Sequence, residues 1–412
     1  MKRVKVCGSK VKSNYDITVT GSKSESNRLL ILQSIFKNIS IKNLSSSDDT
    51  QILKKSLDSK EDNLNVGHAG TAMRFLTAYL ATLENKKFLL SGSKRMNERP
   101  IGVLVEALRD LGFNIRFIKN EGFPPIQILG GKNCKNKVKL KSTVSSQYIS
   151  ALMLIAPSLE NGLEIELDGK IISRPYINMT LSILIDLGVS ARFTDNSILI
   201  NAKKNRVVRK TFEVESCWSS LSYFFSIVAL SKNIELSFKN YKSNSYQGDI
   251  NVSNFYELFG VKSKFKKNKL FLSRDKNFNY PKKINIDLSD NPDLAQTIIV
   301  TAFGLNIPTK LRGLSTLKIK ETDRLIAIYN EINALGGNIE IGNESIEIFK
   351  SDKEINNNHI IQTYQDHRMA LAFAPLSLIC PIEISNPNVV SKSFPEFWKI
   401  LKEMNFSIDY YN

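Results

Sequence analysis

The sequence predicts an α/β chain of six repeated units grouped into two domains, and three observations carry that expectation. A helix-like stretch that ends in glycine and runs into a short alternating strand recurs along the 412 residues. A second, more apolar kind of helix interleaves with it; past the first interval, successive copies start about 70 to 76 residues apart. Three of these apolar helices precede Cys217 and three begin at or after it, which places a domain boundary there.

The elements follow in order. "SNRLLILQSIF" opens the series of apolar helices at Ser26, and "SDDTQILKKSL" is a less complete copy of the glycine-ended type. "GTAMRFLTAYLA" from Gly70 is apolar nearly all round and therefore buried, and "PIGVLVEALRDLGFNIRF" pairs with it as helix, glycine cap and strand. The same pair recurs as "SSQYISALMLIA" from Ser145 with "PYINMTLSILIDLGVSARF". It recurs again as "CWSSLSYFFSIVAL" from Cys217 with "QGDINVSNFYELFGVKSKF". "PDLAQTIIVTAF" from Pro292 goes with "TDRLIAIYNEINALGGNIEI", and "DHRMALAFAPLSLI" from Asp366 with "FPEFWKILKEMNFSIDY". In the last, Asn405 stands where the glycine belongs. Helical spacing of apolar residues, then a left-handed cap, then period-two alternation, is the shared logic. The chain is expected to cross between domains near Thr20–Ser22 and near Val214–Cys217. Residues 21–215 then form the first domain, and residues 1–20 join 216–412 in the second.

Composition narrows the function. No apolar run approaches the ~20 residues that span a bilayer, and the stretch Met1–Lys12 lacks the apolar core of a signal peptide. Four cysteines and three histidines are too scattered for a metal site, so the expectation is a cytoplasmic protein with no metal and no cofactor. The net charge of +17 points to an anionic partner. Much of the lysine lies in runs such as "NAKKNRVVRK" and "KSKFKKNK", read as solvated edges and turns. No nucleic-acid-binding pattern accompanies them, so neither nucleic acid nor membrane is the expected partner.

The stretch "GSKSESNR" places Lys23 among serines at the head of an apolar helix. Unpaired N–H groups and the helix dipole make such a start suited to anions. It is not a phosphate-binding P-loop, because Ser22 separates Gly21 from Lys23 and Asp16 stands where the first glycine should be. Each apolar helix opens with small, hydroxyl or charged residues. Several such openings brought together would form an anion pocket.

At this point the motifs "GSKSESNR", "GHAGTAMR", "RMNERP", "SSQ", "SRPY", "NPDLAQT", "KIKETDR", "YQDHRMA" and "SKSFPEFW" matter as a set. They occur in order across about 370 residues, and the chain resembles the 5-enolpyruvylshikimate-3-phosphate synthase family of enolpyruvyl transferases. The resemblance implies two domains, each of three βαβαββ-type repeats in an inside-out α/β barrel, with the active site in the cleft between them. It implies a monomer that acts on shikimate 3-phosphate and phosphoenolpyruvate. The 5-hydroxyl of the former attacks C2 of the latter while C3 is protonated, and phosphate then leaves. Each substrate carries a phosphate and a carboxylate, which suits a site built from arginine, lysine and serine.

Carried over by position, the resemblance assigns Ser24 and Arg28 to the shikimate carboxylate and Ser145, Ser146 and Ser173 to its phosphate. Gln147 and Tyr176 fall beside the ring, and Asp293 and Lys320 at its hydroxyls. Lys23, Gly70, Thr71, Arg99, Gln147 and Lys392 fall around the phosphoenolpyruvate phosphate, with Lys23 also at shikimate 3-phosphate, and Arg324 and Arg368 at the phosphoenolpyruvate carboxylate. Asp293 is the expected base for the 5-hydroxyl proton and Glu321 the expected acid at C3, with Lys23 an alternative participant. Met73 and Arg74 are read as packing.

Three positions depart from the family's usual pattern: His68 and Thr316, where asparagine is common, and Cys217, where aspartate is common. The loss of that aspartate requires either a compensating neighbour or impaired turnover. The related UDP-N-acetylglucosamine enolpyruvyl transferases usually carry a cysteine in the stretch matching "SGSKRMNERP", which has none here. RNA 3′-terminal phosphate cyclase shares related units but needs ATP and a nucleophilic histidine. A catalytically dead paralogue kept for binding is the reading from a different class, and Cys217 is its only support.

Overall fold

A computed structural model describes residues 2–8, 11–141, 145–169, 171–203, 209–231, 233–266 and 269–411. The chain forms two compact units, Gly21–Val214 and Met1–Thr20 with Glu215–Asn412. Of the two lysine-rich runs, residues 204–208 and 267–268 lie outside the described residues.

All six apolar helices are present. In the unit Gly21–Val214 they are Lys23–Ile35, Gly70–Ala81 and Ser146–Ile155, which pack pairwise on one another. The first begins at Lys23, ahead of the expected Ser26, because Ser22 is the cap and its Oγ accepts from Glu25 N–H at 3.4 Å. Lys23 therefore stands in the first turn. In the other unit, Trp218–Leu230, Ala295–Gly304 and His367–Phe373 pack pairwise in the same manner. A 3₁₀ turn, Pro292–Leu294, leads into the middle one. Buried hydroxyls line this contact: Thr301 donates to Ser226 at 2.7 Å, and Ser222 lies 3.3 Å from Thr297. Small side chains let the helices approach closely, and pairing with each other removes the cost of burying them.

The glycine-ended helices behave as their sequences predict. Helices Gly102–Asp110, Arg174–Asp186, Val252–Glu257 and Arg324–Ala334 are followed by Gly112, Gly188, Gly260 and Gly336, all at positive φ. After Phe397–Glu403 the same place is taken by Asn405 at φ 72°, asparagine being the side chain that best tolerates this region.

The sheets show why one copy looked incomplete. A full repeat has two parallel strands followed by an antiparallel pair, in the spatial order first, second, fourth, third. Asn63–Asn65, Lys87–Ser91, Asn114–Phe117 and Ile126–Leu129 form one such sheet. Lys137–Lys141, Leu163–Asp168, Ala191–Thr194 and Ser197–Ile200 form the next. The repeat around Asp48–Asp58 keeps only its parallel pair, Ile39–Lys42 with Lys210–Glu213 from the far end of the unit.

In the other unit, Ile284–Asp287, Thr309–Arg312, Asn338–Ile341 and Ser345–Phe349 repeat the pattern. Tyr15–Ile17 pairs in parallel with Glu235–Lys239, and Val261–Lys266 with Lys269–Arg274 completes that sheet. The whole of Gly21–Val214 is thus inserted into the first crossover of this repeat. The last repeat has Ile360–Ile361, Ile382–Ser385 and Ser407–Tyr411, and takes its fourth strand, Arg3–Cys7, from the amino end. Strands alternate, as in Lys137–Lys141, between buried and exposed residues. Each sheet therefore turns one face to the helices and the other to solvent.

Two hydrogen bonds tie the two crossings to each other within the unit of Met1–Thr20 and Glu215–Asn412. Cys217 N–H donates to Thr20 O at 3.1 Å, and Ser216 Oγ donates to Val19 O at 2.8 Å. At Gly21 a Cβ would lie 2.0 Å from Asn43 O, so no larger residue fits there. Among the described residues no helix is long and apolar enough to cross a membrane.

Candidate active site

In the unit Gly21–Val214, side chains expected to bind anions gather at helix starts. Lys23 Nζ lies 3.6 Å from Asp49 Oδ2, on the first turn of helix Asp48–Asp58. Arg28 is 2% exposed. Its guanidinium donates to Thr180 Oγ1 at 2.7 Å, Ser24 O at 2.7 Å, Ser150 Oγ at 2.9 Å and Tyr176 O at 3.1 Å. The bonds to Thr180 and Tyr176 tie helix Lys23–Ile35 to Arg174–Asp186, the one to Ser150 ties it to Ser146–Ile155, and Phe75 lies under the guanidinium. Burial pushes its pKa down to about 10, offset in part by the Tyr176 and Glu25 charges. Arg28 thus organises the helix starts that carry Ser24 and Tyr176, whatever ligand it also meets. Ser173, the residue before Arg174–Asp186, takes the left-handed conformation at φ 56°, and its carbonyl accepts from Tyr176 N–H at 3.1 Å.

A second group forms around the start of Gly70–Ala81. Arg99 Nη1 lies 2.8 Å from where a Cβ on residue 70 would sit, so any larger residue there would push the guanidinium back from this backbone. Arg74 donates to Gly70 O at 3.3 Å and to Pro100 O at 3.0 Å, holding the Arg99 segment against the helix; its packing role is as expected. Gln147 Nε2 donates to Thr71 Oγ1 at 3.4 Å, and Ser145 Oγ accepts from Gln147 N–H at 3.3 Å as the cap of Ser146–Ile155. Ser146 is buried beside it. Positive helix ends and cations together make this a place for a dianion.

In the other unit one ion-pair cluster gathers every remaining expected residue. Arg324 is 2% exposed and opens helix Arg324–Ala334. It donates to Asp366 Oδ2 at 2.6 Å, Asp293 Oδ1 at 2.8 Å and Glu321 Oε2 at 2.9 Å. Lys320 Nζ lies 3.4 Å from Asp293 Oδ1, Arg368 Nη2 3.2 Å from Asp293 Oδ2, and Lys392 Nζ 3.0 Å from Glu321 Oε1. Arg368 also donates to Asp293 O at 2.9 Å. Burial raises the Asp293 carboxyl's pKa, but Arg368, Lys320 and Arg324 together outweigh it and hold it well below the usual carboxylate range. Three carboxylates partner Arg324, and the opposing pull of burial does not prevent its pKa from rising.

Sequence reasoning missed two residues that stand beside this cluster. Asp366 caps His367–Phe373 by accepting Arg368 N–H at 2.9 Å, besides gripping Arg324. Its signal was its place in "YQDHRMA". Asp249 is buried, accepts from Ser219 Oγ, and accepts from Asn291 Nδ2 at 3.2 Å, just ahead of Asp293. Burial, aided by the Asp293 charge, pushes its carboxyl upward.

At the Cys217 position a neighbour supplies a hydrogen bond to the helix start. The Cys217 side chain makes no cap bond to Trp218–Leu230, and Gln247 Oε1 accepts Trp218 N–H at 3.0 Å instead. Gln247 Nε2 donates to Ser216 O at 2.9 Å and to Glu215 Oε2 at 3.4 Å, which fixes the orientation of the amide. His68 Nδ1 lies 3.0 Å from Ser93 Oγ, while Thr316 Oγ1 is buried without a hydrogen-bond partner among the described residues.

Comparison with known proteins adds to this geometry. Residues 51–401 match the family described as EPSP synthase (3-phosphoshikimate 1-carboxyvinyltransferase). A protein of Bacteroides fragilis (strain YCH46) named 3-phosphoshikimate 1-carboxyvinyltransferase is 43% identical over 396 residues, covering 95% of each chain. One of the same name from Colwellia psychrerythraea is 33% identical over 426 residues, covering 96% of this chain and 97% of that one. Among solved structures, EPSP synthase from Acinetobacter baumannii matches with a TM-score of 0.77 at 18% identity, over the full length of both chains. The last likeness bears on the fold.

Proposed function

The chain belongs to the EPSP synthase family, and from that premise we propose that it transfers the enolpyruvyl group of phosphoenolpyruvate to the 5-hydroxyl of shikimate 3-phosphate, releasing phosphate. The observation that carries this reading is a likeness, over nearly the whole length, to proteins bearing that name.

The roles follow from the chemistry at each place. The hydroxyls of Ser145, Ser146 and Ser173 suit the phosphate of shikimate 3-phosphate, with Ser24 and Arg28 at its carboxylate and Gln147 and Tyr176 beside its ring. Lys23, Gly70, Thr71, Arg99 and Lys392 suit the phosphate of phosphoenolpyruvate, and Arg324 and Arg368 its carboxylate. Asp293 is held ionised by three cations, so it enters the reaction as an acceptor, taking the 5-hydroxyl proton as the oxygen attacks C2. Lys320 beside it steadies the developing charge. Glu321 contacts both Arg324 and Lys392, the partners of a charged carboxylate. To serve as the acid at C3 it must first take up a proton, and Lys23 is the other proton source.

The reaction needs both residue sets on one pair of substrates, which the proposal meets by closure of a cleft between the domains. Small-angle scattering then shows a smaller radius of gyration with shikimate 3-phosphate than without it. The enzyme is proposed to act as a cytoplasmic monomer, which light scattering tests. The activity is tested by phosphate release with shikimate 3-phosphate and phosphoenolpyruvate. Release requires both substrates and is absent when UDP-N-acetylglucosamine replaces the first; the converse preference would overturn the reading.

A further inference from the structure

Helix Arg324–Ala334 bears a second acidic contact that the proposed reaction does not use. Glu331 lies two turns on from Arg324, on the same face, and is 2% exposed. Its Oε2 accepts Gln362 N–H at 3.0 Å and lies 2.7 Å from His359 Nε2, while Oε1 accepts the Tyr364 hydroxyl at 2.6 Å. All three partners lie on one short segment, His359 just before the strand Ile360–Ile361 and Gln362 and Tyr364 in the loop after it, so a single buried carboxylate grips that segment at three points.

The same loop contains two successive non-glycine residues in the left-handed region, Tyr364 at φ 51° and Gln365 at φ 60°. An aromatic side chain there is unusual, and a pair in sequence persists only where the surroundings hold it. The strained turn closes with Asp366 N–H donating to Thr363 O at 2.8 Å. Asp366 then grips Arg324 and caps the backbone of Arg368. One helix therefore fixes the loop at both ends, through Arg324 at the Asp366 end and through Glu331 at the other.

We propose that Glu331 is a positioning residue for Arg368: by clamping His359, Gln362 and Tyr364 it holds the strained turn that aims the Arg368 guanidinium at the phosphoenolpyruvate carboxylate. This rests on the role given to Arg368 above. Glutamine at 331 keeps the shape but loses the charge and one acceptor oxygen: with its oxygen on Gln362 N–H, its amide must donate where the carboxylate accepted from Tyr364, and that hydroxyl must turn to receive it.

The test is steady-state kinetics of Glu331→Gln with each substrate varied in turn. The KM for phosphoenolpyruvate should rise about tenfold or more, the penalty of a misplaced clamp, while that for shikimate 3-phosphate stays within about twofold. A merely structural role would lower the active fraction, and hence kcat, leaving both KM values alone. That outcome, or an equal rise in both, overturns the proposal. Gln365 is exposed, and Gln365→Gly removes strain from the turn. Added to Glu331→Gln, it should recover part of the lost KM; no recovery counts against the strained turn as the link. If Glu331→Gln does not fold, Tyr364→Phe removes one hydroxyl and should raise the same KM by about threefold, and an unchanged value overturns the proposal. Wild-type turnover is measured first. Its absence defeats the functional reading, whereas an active wild type with a normal Glu331→Gln defeats only this inference.

Discussion

Asp293 combines burial with three cations on one carboxylate, so removing it has two separable effects. Asp293→Ala should lower kcat by at least ~10²-fold, the lower end of general acid–base contributions, with smaller changes in affinity. Arg368→Ala should instead weaken phosphoenolpyruvate by on the order of 2–5 kcal/mol, the cost of truncating a buried charged partner. If Asp293→Ala kept normal kcat while Glu321→Ala abolished turnover, Glu321 or Lys23 would inherit the role of base. The same carboxylate predicts an acid sensitivity. Its folded pKa is depressed, so its stabilising contribution is complete above the unfolded value of about 3.9 and is lost as pH falls through the lower folded value. The melting temperature of wild type should exceed that of Asp293→Asn at neutral pH, and the gap should shrink in thermal scans below about pH 4. A gap independent of pH would show that Asp293 contributes through shape alone. Arg324, Glu321 and Lys320 were legible because they sit together in "KIKETDR". Asp366 and Asp249 were not singled out, because a carboxylate's partners come from distant segments that spacing does not reveal.

At the scale of single elements, the start of Trp218–Leu230 shows how a departure from pattern is absorbed. A thiol is a poor acceptor for a helix N–H, and Gln247, held by Glu215 and Ser216, supplies an amide oxygen from the 3₁₀ entry to another helix. Gln247→Ala should therefore cost about 1 kcal/mol or more by denaturant titration, the usual size of a lost cap. Adding Cys217→Asp to that variant should recover most of the loss, because aspartate caps well and its charge suits the helix end. A Cys217→Asp that stabilised wild type and Gln247→Ala equally would mean that Gln247 is not the substitute. The helices themselves were legible from periodicity, and the glycine or asparagine after them from the need for a left-handed residue. The cap at Trp218 was not, since its donor and acceptor lie far apart in sequence.

At the scale of the molecule, each unit has its own apolar core. Residues Leu29 to Val214 supply one, and Val4 to Val19 with Trp218 to Ile408 the other. The repeat count in the sequence leads to the expectation of two domains divided near Cys217. The closure of each unit by a strand from its opposite end was not legible there, because a strand of four or five residues carries no sign of its partner. That closure yields a strong prediction. Arg3–Cys7 lies between Ile382–Ser385 and Ser407–Tyr411, bonded to both, with Arg3 opposite Tyr411 in the antiparallel register. A fragment of residues 215–412 lacks this inner strand and leaves two edges unpaired, so it should fail to unfold cooperatively. Joining Tyr411 to Arg3 through a short hairpin turn, in a chain running 215–411 and then 3–20, restores the strand with the native register, since antiparallel neighbours need only a tight connection. It also restores Tyr15–Ile17 beside Glu235–Lys239. That permuted chain should give a single cooperative transition with a slope on denaturant in proportion to the surface it buries. If it melted no more cooperatively than the fragment, the second unit would depend on Gly21–Val214 for its fold, and the two cores would not be independent.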